Sequence, residues 1–499
     1  MLEDLKKTIA ESEPFLRLRQ EGANVAAGSP LKLKGISGSL MAFVVSNLYE
    51  VRQSQVVLLV PDDDRAEQLR DDCVLLLGEH SVRLYAHGPG HKATSLDMTA
   101  PIAQVETLKA LTNKEAIVIV TSAQAIAGRV PPMTEFSQRS FELVTGKEYP
   151  FEALLKQLTE LGFERKDFVG EYGDYSVRGG ILDVFPYVGE NPLRMEFWGD
   201  SVESIREFDA LSQRSIRELH SANIVASLLP ASDANAAGAS MLDYLSPDAL
   251  LVVDEPASVQ KEIEELFHEG VQNLLTWEAI KEQTERFSCI FHAIIGESDS
   301  SAAINFFSQP QPPVNGSIKV LLRHLNELSA QGQELVLVCD TQAESDRIKE
   351  LIEEEITAPA SPDEETETSA DESLVAIDPK YQLMTEAMHL GFLYPPAHLA
   401  LFTEHQIFGR LKHRGPTRRK KFKGFSQKEA QQLRRGDYVV HIDYGIGKFA
   451  GLQKLKVRGV EQEVMRVLYE GNDVLYVNLN FVNRVQKYAS QEGHLPKLS

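Results

Sequence analysis

The residues Gly35-Ile36-Ser37-Gly38-Ser39-Leu40-Met41-Ala42 stand in the frame of a nucleotide P-loop, G-x-x-x-x-G-K-[ST], just ahead of a helical pattern. In a working loop the second glycine lets backbone amides approach the phosphates. The lysine neutralises the β- and γ-phosphate charge, and the Ser/Thr hydroxyl ligates magnesium. Gly35 is kept, but those three positions hold Leu40, Met41 and Ala42. All three contributions are missing, which argues against ATP hydrolysis here and leaves a degenerate loop kept for packing. Asp254-Glu255 follows the apolar run 250–253 in the manner of a Walker B strand end. With no phosphate loop to serve, this acid pair is expected to cap the next helix. His441 and Tyr444 have no Cys, His or carboxylate constellation beside them in sequence, which points to structural roles. No catalytic residue and no metal site is expected.

The 499 residues predict about three or four domains. With 43% apolar and 25% charged residues, a wholly disordered or collagen-like chain is excluded. A net charge of −22 repels a phosphate backbone and argues against general duplex binding. Cys73, Cys289 and Cys339 lie far apart without CxxC spacing, which excludes a disulfide scaffold or thiolate zinc site and fits a reducing compartment. No apolar run approaches the ~20 residues that span a bilayer. The N-terminus has no signal-peptide core. A cytoplasmic, monomeric, multidomain protein is expected.

The elements that must position these residues fall into segments. Residues 1–136 read as the first half of an α/β domain, with Val56–Val60 and 117–120 as parallel strands covered on both faces. A helix is expected over 66–77, capped by Asp62-Asp63-Asp64. Residues 137–220 read as an inserted α+β unit: a helix over 151–161 stopped by Gly162, then strands. In one of these, Leu193, Met195 and Phe197 alternate with Arg194, Glu196 and Trp198. Gly179-Gly180 marks a bulge or a close backbone approach. The α/β rhythm resumes over 221–302. Residues 303–409 form a small α/β unit after the Pro-rich stretch 309–313, with a helix over 320–328 and a strand over 335–339. Its segment 353–372 carries nine acids and no Lys or Arg, a solvated tether. From 410 to 435 there are eleven Lys/Arg against Glu429 alone. With only Phe422 and Phe425 to stack bases, 410–430 reads as a flexible basic linker; contact with phosphate or an acidic protein is the alternative. Residues 431–490 are β-rich, with strands over 438–442, 464–469 and 474–479 and a tight turn at Gly445-Ile446-Gly447. That spacing suggests a small barrel.

Two blocks carry a family resemblance. Gly-Asp-Tyr-Ser-Val-Arg-Gly-Gly-Ile-Leu-Asp-Val-Phe-Pro (173–186), Pro-Leu-Arg-Met-Glu-Phe-Trp-Gly-Asp (192–200) and the segment 201–215 interrupt an α/β domain. The arrangement resembles the excinuclease subunit UvrB and, more closely, the UvrB-like module that opens the bacterial transcription-repair coupling factors (Mfd). The lost P-loop favours the latter, since that of UvrB is intact. Residues 435–452 and 475–488 resemble the opening of that family's RNA polymerase-interacting domain. The implied fold is a UvrB-like degenerate RecA-type α/β domain split by an inserted α+β domain, then a small α/β domain, then a Tudor/CarD-like β-barrel. The family continues into a translocase motor that uses ATP and magnesium on duplex DNA to displace stalled polymerase. Residues 491–499 are expected to begin the linker to such a motor, of which no helicase motif occurs in this sequence.

The resemblance implies two partners, UvrA and the RNA polymerase β subunit. For UvrA it points to Arg165, Arg178 and Phe185, expected on an exposed sheet face; a core role is the alternative for Phe185. For polymerase it points to Leu455, with Lys448, Phe449 and Leu452 on the same strand, contacting the β subunit by edge-strand addition. A core role is the alternative for Leu455. The chain is thus expected to be an adaptor without catalysis. Its rivals are a UvrB-like excinuclease subunit with a working ATPase and a CarD-like polymerase-binding regulator.

Overall fold

Runs of branched aliphatic residues build the central sheet of the first unit. In sheet order its seven strands are Ile304–Asn305, Leu31–Lys34, Ser288–Ala293, Leu250–Asp254, Val56–Val60, Val118–Ser122 and Val82–Tyr85, and every pairing is parallel. Val56, Leu58 and Val60 face one core while Val57 and Leu59 face another. A strand buried on both faces has no polar side, hence the unbroken apolar run. Helix Asp63–Leu77 starts where Asp62 accepts a hydrogen bond from the Arg65 N–H at 2.8 Å. The computed structural model describes residues 1–86, 99–189, 191–210, 214–226, 238–271, 273–293, 303–357, 379–386, 388–409, 433–441, 445–457, 460–469, 474–478 and 485–487. These fall into two units, Met1–His413 and Arg414–Ser499. None of the described helices is long and apolar enough to cross a membrane.

Between the strands of the central sheet lies a second fold. Helix Phe151–Glu160 packs on a six-stranded sheet ordered Ser215–Leu219, Ser201–Phe208, Leu193–Trp198, Ile181–Val184, Asp174–Arg178 and Glu164–Arg165. All neighbours are antiparallel except the last pair. Met195 and Phe197 enter its core with Leu154 and Leu158, so the alternation seen in the sequence is the two faces of one strand.

The small α/β unit has a five-stranded sheet ordered Gln309–Pro310, Phe392–Tyr394, Leu399–Thr403, Glu334–Val338 and Tyr381–Met384. One face packs on helices Ile318–Ala330 and Gln342–Thr357. Val336, Val338, Phe392, Tyr394, Leu399 and Leu401 on the other face join the core that contains helix Leu40–Arg52. The acid-rich segment lies outside the described residues from 358 to 372, and so does the basic run up to residue 432.

In the second unit the expected barrel does not close. Its five antiparallel strands run in the order Val474–Asn478, Val460–Leu468, Gly445–Val457, Tyr438–His441 and Val485–Lys487, and among the described residues the two outer strands do not pair. Gly445-Ile446-Gly447 is not a turn either: it opens a strand, paired with His441, Val440 and Val439. Gly447 is glycine because any Cβ there would collide with the Val467 side chain.

All three cysteines are buried and free. Burial pushes the Cys73 thiol up out of the ordinary range, Cys289 up to about 11 and Cys339 up to about 12. The thiolate is the reactive species. A disulfide reagent at pH 8 should therefore label no thiol in the native chain and all three after denaturation. Rapid native labelling of any one would contradict this packing.

Candidate functional site

Three places carry the residues singled out above. At the first, Gly35 and Gly38 take φ of +71° and +60°, and helix Leu40–Arg52 begins directly after Ser39. Leu40, Met41 and Ala42 are each 0% exposed. The amides that would cradle phosphate already have partners within the chain. The Ile36 N–H donates to His292 Nε2 at 3.2 Å and the Ser39 N–H to the Leu390 carbonyl at 3.0 Å. The Leu40 and Ala42 N–H groups donate to the carbonyls of Ser37 and Ser39.

The strap 388–391 from the small α/β unit thus lies across the head of the helix. It is held by Asp72, a fully buried carboxylate that accepts from Ser39 Oγ at 2.5 Å and from the His389 N–H and Nδ1, each at 3.0 Å. Ser39 Oγ in turn accepts from the Leu390 N–H at 3.0 Å. A Cβ on Gly38 would sit 2.5 Å from the Gly391 carbonyl, so the strap also requires a glycine there. Residues 35–42 do not fit ATP and magnesium.

Asp254 and Glu255 do not cap the next helix: Glu255 sits at the N-cap with φ +51° and its side chain makes no cap bond. Asp254 instead accepts from His292 Nδ1 at 2.6 Å, deep in the core. Arg65 donates to the Gly38 carbonyl at 3.0 Å, and its Nε is 3.9 Å from Asp254 Oδ2. Asp254, Glu255 and His292 bring ligand-type atoms within 4.8 Å of one another. His292 nevertheless has no lone pair to offer a metal. Nε2 accepts from Ile36, so Nδ1 carries the proton given to Asp254. Asp254, His292 and Arg65 together brace the loop. The pairs Asp72–His389 and Asp254–His292 were not legible, because the partners of each meet only through the fold.

The second place is the inserted sheet. Arg178 is 40% exposed, donates to Asp183 at 2.5 Å, and lies 5.1 Å from the centroid of the Phe168 ring. Asp183 is buried and also accepts two bonds from Arg194, at 2.7 and 2.9 Å. That pairing raises the already high pKa of the Arg194 guanidinium. Phe185 is not exposed: at 4% exposure it packs with Val169 and Phe208, its ring 4.1 Å from that of Tyr172. Residues 166–172 fold over that end of the sheet and cover it. Arg165 is exposed but does not share a face with Arg178. It pairs with Tyr175, whose ring enters the core beneath the helix, whereas Arg178, three residues on, projects from the opposite face.

The third place is the strand Gly445–Val457. Phe449 is buried and Leu452 half-buried against the same small core, so both serve packing. Lys448 is exposed, its ammonium 5.8 Å from the Tyr438 ring centroid. Along this strand, Tyr438–His441 reaches from Gly445 to Lys448 and no farther. Beyond that point the strand has Val460–Leu468 on one side and, among the described residues, no strand on the other. Leu455 pairs with Gln462 in this two-stranded projection. Its side chain lies outside the described residues, as do Tyr444 and the side chain of His441.

Comparison with known proteins places two domains on this framework. A family model for the UvrB interaction domain matches residues 141–229, and one for the CarD-like/TRCF RID domain matches residues 433–489. The chain is 26% identical to the transcription-repair-coupling factor of Bacillus subtilis (strain 168), over 93% of this chain and 46% of that protein. For the transcription-repair-coupling factor of Myxococcus xanthus the identity is 24%, over 95% and 46%. For that of Staphylococcus haemolyticus it is 21%, over 96% and 47%. The chain thus spans about half the length of the curated relatives it matches.

Three outcomes are expected of the loop. Titration with magnesium-ATP should give no saturable binding at residues 35–42. Met41→Lys should lower stability by several kcal/mol in a denaturant melt without creating a nucleotide site, because it buries an ammonium without a partner. Ser39→Ala should cost about 1–3 kcal/mol, since it leaves the Leu390 amide and the Asp72 carboxylate each short of a partner. A micromolar ATP affinity mapping to this loop would overturn the packing role.

Proposed function

We propose that this chain is the adaptor portion of a transcription-repair coupling factor. It binds stalled RNA polymerase, at the β subunit, through the C-terminal sheet and recruits UvrA through the inserted domain. The observation that carries this reading is the presence, in one chain, of a UvrB interaction domain and a CarD-like/TRCF RID domain. The packed loop at 35–42 is consistent with a chain that catalyses nothing itself and acts by docking. ATP-driven movement on DNA belongs, in this reading, to the part of its relatives that it does not match.

The two contacts use different physics. The projecting half of Gly445–Val457 offers main-chain donors and acceptors on its open side, the requirement for adding a strand from a partner. The inserted sheet offers side chains. Arg178 is held in place by Asp183 but still 40% exposed, so it meets a partner without losing much rotamer freedom. Phe185 supports this surface from beneath and does not touch the partner.

Pull-downs with the full chain test the proposal. Arg178→Ala should weaken UvrA capture by about 2 kcal/mol, a typical hot-spot cost, and leave folding stable because Asp183 keeps its two bonds from Arg194. Arg165→Ala, on the other face, separates an edge contact from a face contact. Leu455→Arg should abolish capture of the β subunit without lowering the melting temperature, because an unpaired guanidinium would meet the partner. Full retention of both partners by Arg178→Ala and Leu455→Arg would remove these two residues from the interfaces. Capture of neither partner by the unmodified chain would overturn the adaptor reading.

A further inference from the structure

Trp198 is 82% exposed, the most open large apolar side chain among the described residues. It ends the strand Leu193–Trp198, whose Arg194 and Glu196 share its face, while Met195 and Phe197 fill the core. In register, Trp198 pairs with Ser201, and Glu196 pairs with Ile181, which in turn pairs with Arg178. Trp198, Glu196, Ile181 and Arg178 therefore lie on one face at one end of the sheet, with the half-exposed Phe168 ring beside Arg178. The next strand over turns at Gly179-Gly180, and the Phe197 N–H donates to the Gly180 carbonyl at 2.7 Å. A glycine turn has no side chain to cover the indole on that side, so the exposure is built into the fold.

The backbone that carries the indole is also held in position. The turn after it is pinned twice through Asp200, whose carbonyl accepts from the Tyr149 N–H at 2.7 Å and whose carboxylate accepts from the Phe151 N–H at 2.9 Å. A large apolar group on a fixed turn loses little entropy on docking, and Trp is enriched among residues that dominate interface energy. Charge indicates what docks. Arg178 and Arg194 share the single carboxylate of Asp183, and Arg206 pairs with Glu196 at 3.3 Å. Two guanidiniums against the one carboxylate of Asp183 leave the Arg178 end of this face locally positive; farther along, Arg206 has both Glu196 beside it and Glu218 across from it.

We infer that Trp198 is the aromatic anchor of the inserted domain's docking face, entering an apolar pocket on a protein partner that presents a carboxylate toward Arg178. This inference rests on the reading above, in which that partner is UvrA. The full chain and its Trp198→Ala and Trp198→Phe variants are titrated against purified UvrA at low and high salt, with melting temperatures and the chain's own oligomeric state measured in parallel. Trp198→Ala should weaken binding about tenfold or more, Trp198→Phe should recover most of the loss, raised salt should weaken the unmodified complex, and the melting temperatures should not change. If Trp198→Ala binds like the unmodified chain, or salt has no effect, the anchor assignment is wrong and the adaptor reading stands. If the unmodified chain does not bind UvrA at all, both fail. A dimer of the chain that Trp198→Ala dissociates would assign the face to self-association and overturn the inference.

Discussion

The buried carboxylate of Asp72 is the constraint on which the first unit depends. Taking a charge out of water costs several kcal/mol unless donors surround it, and here Ser39 and His389 supply them from segments far apart in the chain. The same bonds bring residues 388–391 onto the head of helix Leu40–Arg52, where the Leu390 carbonyl takes the Ser39 amide. A helix N-terminus attracts negative charge, and in this molecule a backbone oxygen of the chain itself meets that demand. Once the strap is in place, the small sheet covers the helix, and positions 40 to 48 are all buried. Lysine and threonine could not be kept at 41 and 42 in such an environment without partners. The apolar residues at 40–42 and the docked small sheet are two aspects of one packing solution.

The inserted domain sorts its aromatics by a similar rule. Phe185 follows a strand whose Leu182 and Val184 face the core, and the covering segment 166–172 buries its ring against Tyr172. Trp198 follows Phe197 by one residue, so it must face the other way, and the adjacent hairpin offers it only glycines. Burial is thus decided by the neighbour a ring finds across the sheet. The two-arginine clamp on Asp183 fixes the polar face in the same way, with one buried carboxylate ordering two long side chains that would otherwise be mobile.

In the second unit, Val439, Phe449, Met465, Val467, Val477 and Val485 make the core of the sheet among the described residues. The long hairpin of Gly445–Val457 and Val460–Leu468 runs past its neighbours, and among the described residues no strand pairs with its outer half on either side. An open edge invites pairing with another chain, which makes the hairpin suitable for recognition by strand addition.

Much of this was legible in the residues alone. The aliphatic runs at 56–60 and 250–253, the alternation at 193–198 and the cap at Asp62 fix local structure because side-chain periodicity and backbone hydrogen bonding act over a few residues. That positions 40–42 carry no glycine, lysine or hydroxyl was equally plain, since it depends only on which side chains are present. What the sequence left open was every choice that depends on distant segments. It did not show that Asp72 meets His389, that His292 braces Asp254, that Phe185 is covered while Trp198 is not, or that the described outer strands of the terminal sheet do not pair. Each of these depends on pairing between strands or on burial by a segment far along the chain. Such contacts are set by long-range packing and the desolvation of charge, which local sequence patterns do not encode.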